Sequence, residues 1–99
     1  MISLISRMIV RSEKVREFEE LSKKQISIVE NKSFGILQYT LHRSHKDPCQ
    51  YTSIQCFSDR AALKNYANSS VIDQRRKQFD EFFVVTPAIE ICDLIVRHK

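Results

Sequence analysis

One glycine, two prolines, three cysteines and no tryptophan occur in the 99 residues of this chain. So few glycines and prolines leave little material for sharp turns, which predicts long elements and short loops. Cys49, Cys56 and Cys92 are odd in number and contain no C-x-x-C pair. Their spacing supports neither a disulfide framework nor a metal site, so they read as reduced thiols in a cytoplasmic protein. No run approaches the roughly 20 apolar residues that cross a membrane. The opening stretch MISLISRMIVRSEK is apolar but interrupted by Arg7, and no cleavage-site pattern follows it. It reads as a first strand rather than a leader. The net charge of +4 comes from basic residues scattered along the chain. That is mild attraction for anionic ligands, without the interleaved basic and aromatic stripe of a nucleic-acid binder.

What is present is periodic. Residues 2–11 are strand-like and end at Ser12, a good N-cap, with Glu13 and Glu17 following where a helix dipole favours negative charge. The helix predicted from there to Asn31 carries Val15, Phe18, Leu21, Ile26, Ile28 and Val29 on its apolar side, interrupted by Ser22 and Gln25. Glu19/Lys23 and Glu20/Lys24 have the favourable order for i,i+4 pairs. A connector over Asn31–Gly35 leads to a strand at 36–43 and, past the turn-forming Asp47-Pro48, a second at 50–57. Ser58 or Asp59 is placed to cap a helix over Arg60–Asn68, and Ser69 or Ser70 to restart one through Phe82 or Phe83. A last strand is expected at 84–96, with Pro87 implying an edge or a bulge.

The order β-α-β-β-α-β predicts an α+β, ferredoxin-like domain with an antiparallel sheet covered by helices on one face. The first and last strands are apolar on both parities, which implies that the second face is buried too. A second copy, sheet against sheet, would cover it, so a homodimer is expected.

Polar residues then fall where core is expected. At about 100° per residue, Arg75 lies in the middle of the arc formed by Val71, Ile72, Phe79 and Phe82. A guanidinium there costs several kcal/mol unless it is paired or reaches water. Asp93 and Glu90 are candidate partners, and outward snorkelling is the other plain alternative. Tyr66 shares a face with Ala62 and Leu63, and its hydroxyl needs a partner. On the third strand Tyr51, Ser53, Gln55 and Phe57 share one face by alternation. If that face meets the helices, Ser53, Gln55, Phe57, Tyr66 and Arg75 converge on an apolar cleft with a few placed polar groups. His42 shares its parity with Gln38 and Thr40, and reads as a surface or dimer-face residue.

The segment from hairpin to helix resembles the antibiotic biosynthesis monooxygenase family, whose members are dimeric α+β barrels. Gly35 and Tyr39 match a glycine opening the second strand and an aromatic four residues on. Gln55-Cys56-Phe57 stands where the family often has Glu-x-Trp. Ala62-Leu63-Lys64-Asn65-Tyr66 stands where it has Ala-Leu-x-x-His, and Ser69-Ser70 matches a serine-rich helix restart. The resemblance implies a homodimer with one cleft per subunit and an enzyme that uses no cofactor. It implies oxidation of a quinol or polycyclic phenol by molecular oxygen. The haem-degrading branch uses an Asn, Trp and His set, and this chain has neither the Trp nor the His at those positions.

Chemistry of that kind needs a phenolate and a dry site. Arg75 would favour the anion, each pKa unit being worth about 1.36 kcal/mol. Tyr66 would bond the developing oxyanion or relay a proton, Tyr39 and Phe57 would stack on the ring, and Ser53 and Gln55 would orient its oxygens. Two rival readings stand beside this one: a binding module of the same fold, and a non-redox isomerase or decarboxylase with Tyr66 or His42 as acid–base group.

Overall fold

The computed structural model describes residues 1–31 and 35–98. The elements are β1 (Ile2–Ile9), a 3-10 turn (Ser12–Lys14), α1 (Val15–Asn31), β2 (Ile36–Arg43), β3 (Gln50–Phe57), α2 (Arg60–Ala67), α3 (Ser70–Phe79), a second 3-10 turn (Asp80–Phe82) and β4 (Ala88–Asp93). The strands make one antiparallel sheet in the order β2-β3-β1-β4. This is the expected ferredoxin-like α+β arrangement. No helix among the described residues is long and apolar enough to cross a membrane.

Register fixes the two faces of the sheet. Ile2 lies opposite Phe57, Leu4 opposite Gln55, Ser6 opposite Ser53 and Met8 opposite Tyr51. Directly opposed residues share a face, and all of these except the half-buried Leu4 are buried. The other parity presents Ser3, Ile5, Arg7 and Ile9 beside Cys56, Ile54 and Thr52. From β2, Tyr39 and Leu41 share the parity of Gln55 and Ser53, while Gln38, Thr40 and His42 fall on the outer one.

Against the inner face, α1 lays Phe18, Ser22, Gln25 and Val29, all buried. Their steps of four, three and four residues keep them on one line. Ile28, expected on this face, is 45% exposed, because it sits about 90° from that line. Ser12 does not cap α1: it begins the 3-10 turn, and its hydroxyl reaches Glu13 at 3.4 Å. The expected i,i+4 pairs are replaced by Lys23–Glu20 at 3.4 Å and by Arg43–Glu19 at 3.1 Å. A cation supplied by β2 outcompetes the local lysine for Glu19.

The hairpin turn closes on side chains as well as backbone. Ser44 Oγ accepts from the amides of Lys46 and Asp47, and Asp47 Oδ1 accepts from Cys49 N at 2.9 Å. Asp59 is the cap of α2, accepting from Ala62 N at 2.8 Å. Ser69 occupies the N-cap position of α3, but its hydroxyl turns back to the carbonyl of Tyr66 at 2.7 Å, tying the two helices together.

Two boundaries differ from expectation. The third helix stops at Phe79 and tightens into the 3-10 turn Asp80–Phe82. The last strand is Ala88–Asp93, not 84–96. Val84 N still bonds Ile9 O at 2.9 Å and Phe83 bridges Val10, but Pro87 has no N–H to continue a ladder. Pairing resumes at Ala88 opposite Arg7, with β4 on the sheet's edge as Pro87 implied, and ends where β1 does. The connector over Asn31–Gly35 lies, at 32–34, outside the described residues.

Candidate functional site

Among the described residues the interior is divided in two. One cluster joins Met8, Val10, Phe18, Tyr51, Phe79 and Phe82. Phe18 is its hub, meeting Tyr51, Phe79, Phe82 and Phe83 at centroid distances from 4.8 to 6.4 Å. The other joins Val29, Phe57 and Tyr66, with Leu4, Ile36, Tyr39, Leu63 and Ile72 packed around them. Four elements cross from one to the other, and each changes character midway. On α1 the sequence of inner residues is Phe18, then Ser22 and Gln25, then Val29. On β3 it is Tyr51, then Ser53 and Gln55, then Phe57, and on β1 it is Met8, Ser6, Leu4. On α3 it is Phe79, then Arg75, then Ile72. The sequence periodicities are thus in phase across the fold, and they stack a polar layer between two apolar ones.

Arg75 supplies the charge of that layer. It is half-buried, with its guanidinium carbon 5.7 Å from the centroid of the Phe79 ring. Neither Asp93 nor Glu90 pairs with it, and no ion pair among the described residues includes it. Both lie on β4, beyond β1 at the sheet's edge. Arg75 acts instead on two phenols. Burial pushes the Tyr66 hydroxyl up to about 12, with a further push from Tyr39, while Arg75 and Gln25 pull it down. Tyr39 is also raised by burial and lowered by Arg75. Both phenols are therefore protonated donors at neutral pH, next to a cation.

A cavity of about 10 Å3 opens here, lined by Ser22, Ser53, Tyr39 and Arg75 on its polar side and by Met8, Phe18, Leu41 and Phe79 among its apolar neighbours. That is roughly the room one water molecule needs. Of the residues expected to converge, Ser53 and Arg75 meet at this cavity, where Tyr39, expected to stack on the ring, joins them. Tyr66 and Phe57 stand in the adjoining cluster, their rings 5.5 Å apart. Gln55 lies between Ser53 and Phe57 on β3, directly opposite Tyr39. Ser6 was not foreseen, and Ser22 and Gln25 were visible only as interruptions of a stripe. Their signal is in the phasing: Ser6 matters because register puts it against Ser53. His42 falls on the outer parity, bonded to Thr40 Oγ1 at 2.9 Å, so it shares no space with Tyr66 within this chain.

Gly35 holds this end of the fold together. Its φ of 75° suits glycine, and a Cβ there would stand 2.9 Å from that of Ala62. Its carbonyl accepts from Ser58 N at 3.1 Å. The start of β2 is thereby seated against α2, the helix that carries Tyr66.

Chemically, the layer offers one cation, two phenolic donors, three serines and two amides. Among the described residues, no group of three or more His, Cys, Asp or Glu side chains is placed to hold a metal ion. The arrangement is suited to an oxyanion and to neutral oxygens beside it.

A ferredoxin-like domain with this cleft between helices and sheet belongs to a recognisable class. Solved structures of similar fold include a Caulobacter crescentus protein named for antibiotic biosynthesis monooxygenases, at 22% identity and a TM-score of 0.89 over 96% of this chain and 90% of that one. Others are a conserved Methanosarcina mazei protein, at 22% and 0.85 over 92% and 89%, and Rv0793 from Mycobacterium tuberculosis, at 17% and 0.86 over 99% and 98%. The profile of the antibiotic biosynthesis monooxygenase family matches residues 1–85, and the chain belongs to that family. No curated protein sequence matches it.

Proposed function

We propose that the chain is a cofactor-independent monooxygenase that oxidises a quinol or polycyclic phenol in the cleft between helices and sheet. The observation that carries this reading is Arg75: a half-buried cation without a carboxylate partner among the described residues, set beside two protonated tyrosines. In the reaction, the bound phenol loses its proton, favoured by Arg75. The phenolate passes one electron to molecular oxygen, giving a substrate radical and superoxide, and the two combine through a new C–O bond. The O–O bond of the resulting peroxide then breaks: one oxygen stays as a carbonyl and the other leaves as water, which takes one hydrogen from the ring carbon and regains the proton that the phenol gave up. Tyr66 holds the developing oxyanion or relays the proton, Tyr39 and Phe57 flank the ring, and Ser53 and Gln55 orient its oxygens. The cavity is far smaller than such a ring, so binding requires the helices that line it, α1 and α3, to shift from the sheet.

The active form in this reading is a cytoplasmic homodimer. Ile5 and Ile54 face each other on the outer side of the sheet, and Ile9, on the same parity, is 41% exposed. A second copy would cover these residues, and light scattering that reports a monomer at micromolar concentration would remove this part.

Oxygen uptake with a panel of quinols and anthrone-like phenols, corrected for spontaneous oxidation, tests the chemistry. Enzyme-dependent uptake that falls about a hundredfold in Arg75→Ala, in the range of a lost oxyanion contact, is the expected result. Full turnover in Arg75→Ala and Tyr66→Phe would sink it. Phe57 and Tyr66 at the family's Trp and His positions favour a second reading, a binding protein of the same fold. Ligand affinity without uptake would establish that one.

A further inference from the structure

Among the described residues Gln55 is the most deeply placed amide, 1% exposed, and neither its Nε2 nor its Oε1 has a hydrogen-bond partner there. Ser53, the next residue on the same face of β3, is also 1% exposed, and its Oγ likewise has no partner among the described residues. Native interiors satisfy nearly all such atoms, because a buried donor or acceptor left alone is destabilising. Here three of them sit side by side, one on the wall of the cavity that Arg75 and Tyr39 also line. A methionine at position 55 would fill a similar volume without that penalty. The amide is thus an expense to the fold with no structural return.

We propose that Gln55, seconded by Ser53, is the specificity-determining residue of this site, and that it reads a ring bearing a carbonyl with an N–H or O–H donor beside it. A primary amide offers one donor and one acceptor, fixed in a plane. It pairs in bidentate fashion with a ligand edge that presents an acceptor and a donor together, as glutamine does with the edge of adenine. An amide of either rotation finds both partners in such an edge, whereas a plain phenol leaves one of its atoms alone. Arg75 takes an ionised oxygen elsewhere on the same ring. The ligand class is therefore an acidic hydroxy-lactam or hydroxy-ketone of one to three fused rings. The inference rests on the proposed site but not on oxygen chemistry.

Binding without turnover tests it. The probe is 4-hydroxy-2-quinolone, which carries an acidic hydroxyl and a lactam N–H and C=O side by side, with its N-methyl derivative as the partner that lacks the donor. Titration calorimetry on the intact protein is expected to show the N–H compound bound about tenfold more tightly, the factor that corresponds to 1.4 kcal/mol. Gln55→Met is expected to bring the two affinities within about twofold and, in the same preparation, to raise Tm by a few degrees. Equal affinities in the wild type, or no binding of either compound, would overturn the ligand class. A preference that survives in Gln55→Met, or a lowered Tm, would overturn the role of Gln55. Oxygen uptake can fail while all of these results hold, so the two readings fall separately.

Discussion

Tyr51 and Tyr66 are a natural pair for comparison. Each is buried, at 2% and 1% exposure, each belongs to one of the two apolar clusters, and each has its hydroxyl pushed up to about 12. Their surroundings differ. The Tyr51 hydroxyl donates to Glu19, whose carboxylate is also held by Arg43 at 3.1 Å. Its polar tip is paired at the rim of the fold, and its acidity is suppressed by burial and by a negative neighbour. The tip of Tyr66 meets Arg75, Gln25 and Tyr39 inside the polar layer, where burial suppresses ionisation and the cation partly restores it. One tyrosine completes a structural network. The other faces groups that have bonding capacity to spare. A shifted pKa alone does not distinguish them; the sign and identity of each neighbour does.

Substitutions can break this contrast, and the largest effect belongs to the aromatic cluster. Phe18→Ala is expected to destabilise the protein by about 3–5 kcal/mol, read by chemical denaturation, since it removes the ring on which four others pack. Gly35→Ala comes next, at about 1–3 kcal/mol for a residue forced to positive φ, with Ala62 in its way. Its effect is expected to show at Tyr66 and not at Tyr51, in the near-ultraviolet spectrum of single-tyrosine variants. Tyr51→Phe is expected to lower stability by about 1–2 kcal/mol and leave ligand binding unchanged. Tyr66→Phe is expected to do the reverse, weakening ligand binding or turnover about tenfold; equal profiles for the two variants would erase the distinction.

The dependence on pH is absent near neutrality and confined to alkaline solution. Tyrosines raised from 10 to about 12 keep their protons in the folded state after the unfolded chain has lost them. Between those values the unfolded state binds fewer protons, so stability falls as pH rises. Their contribution is complete below pH 10 and lost on passing 12. Thermal scans are expected to give a flat Tm up to about pH 9–10 and a decline above it, shallower in Tyr51→Phe and in Tyr66→Phe.

Much of this was legible in the sequence, for identifiable reasons. Alternation on β3 put Tyr51, Ser53, Gln55 and Phe57 on one face, and helical spacing put Arg75 in an apolar arc, because these depend only on backbone period. The family resemblance on Gly35, Tyr39 and the segments around Phe57 and Tyr66 agreed with the profile match. The extent of β4 was not legible, since it depends on Pro87 and on where β1 ends. Nor was the partner of Glu19: local spacing favoured Lys23, but the hairpin brought Arg43 and Tyr51 to it from far along the chain. Ser6 was silent until register set it against Ser53, and Ser22 and Gln25 gained meaning only beside them.

The layer that these polar residues form also marks a plane of weakness. Apolar packing is what makes distant parts of a domain unfold as one unit, and it is thinned where serines and amides replace methylene contacts. The half built on Phe57, Tyr66 and α2 is therefore expected to open at lower energy than the half built on Phe18. In amide hydrogen exchange, α2 would lose protection in a step of its own, before the aromatic half. Such a step would mean that the same seam that gathers the polar groups gives this small fold two cooperative units in place of one.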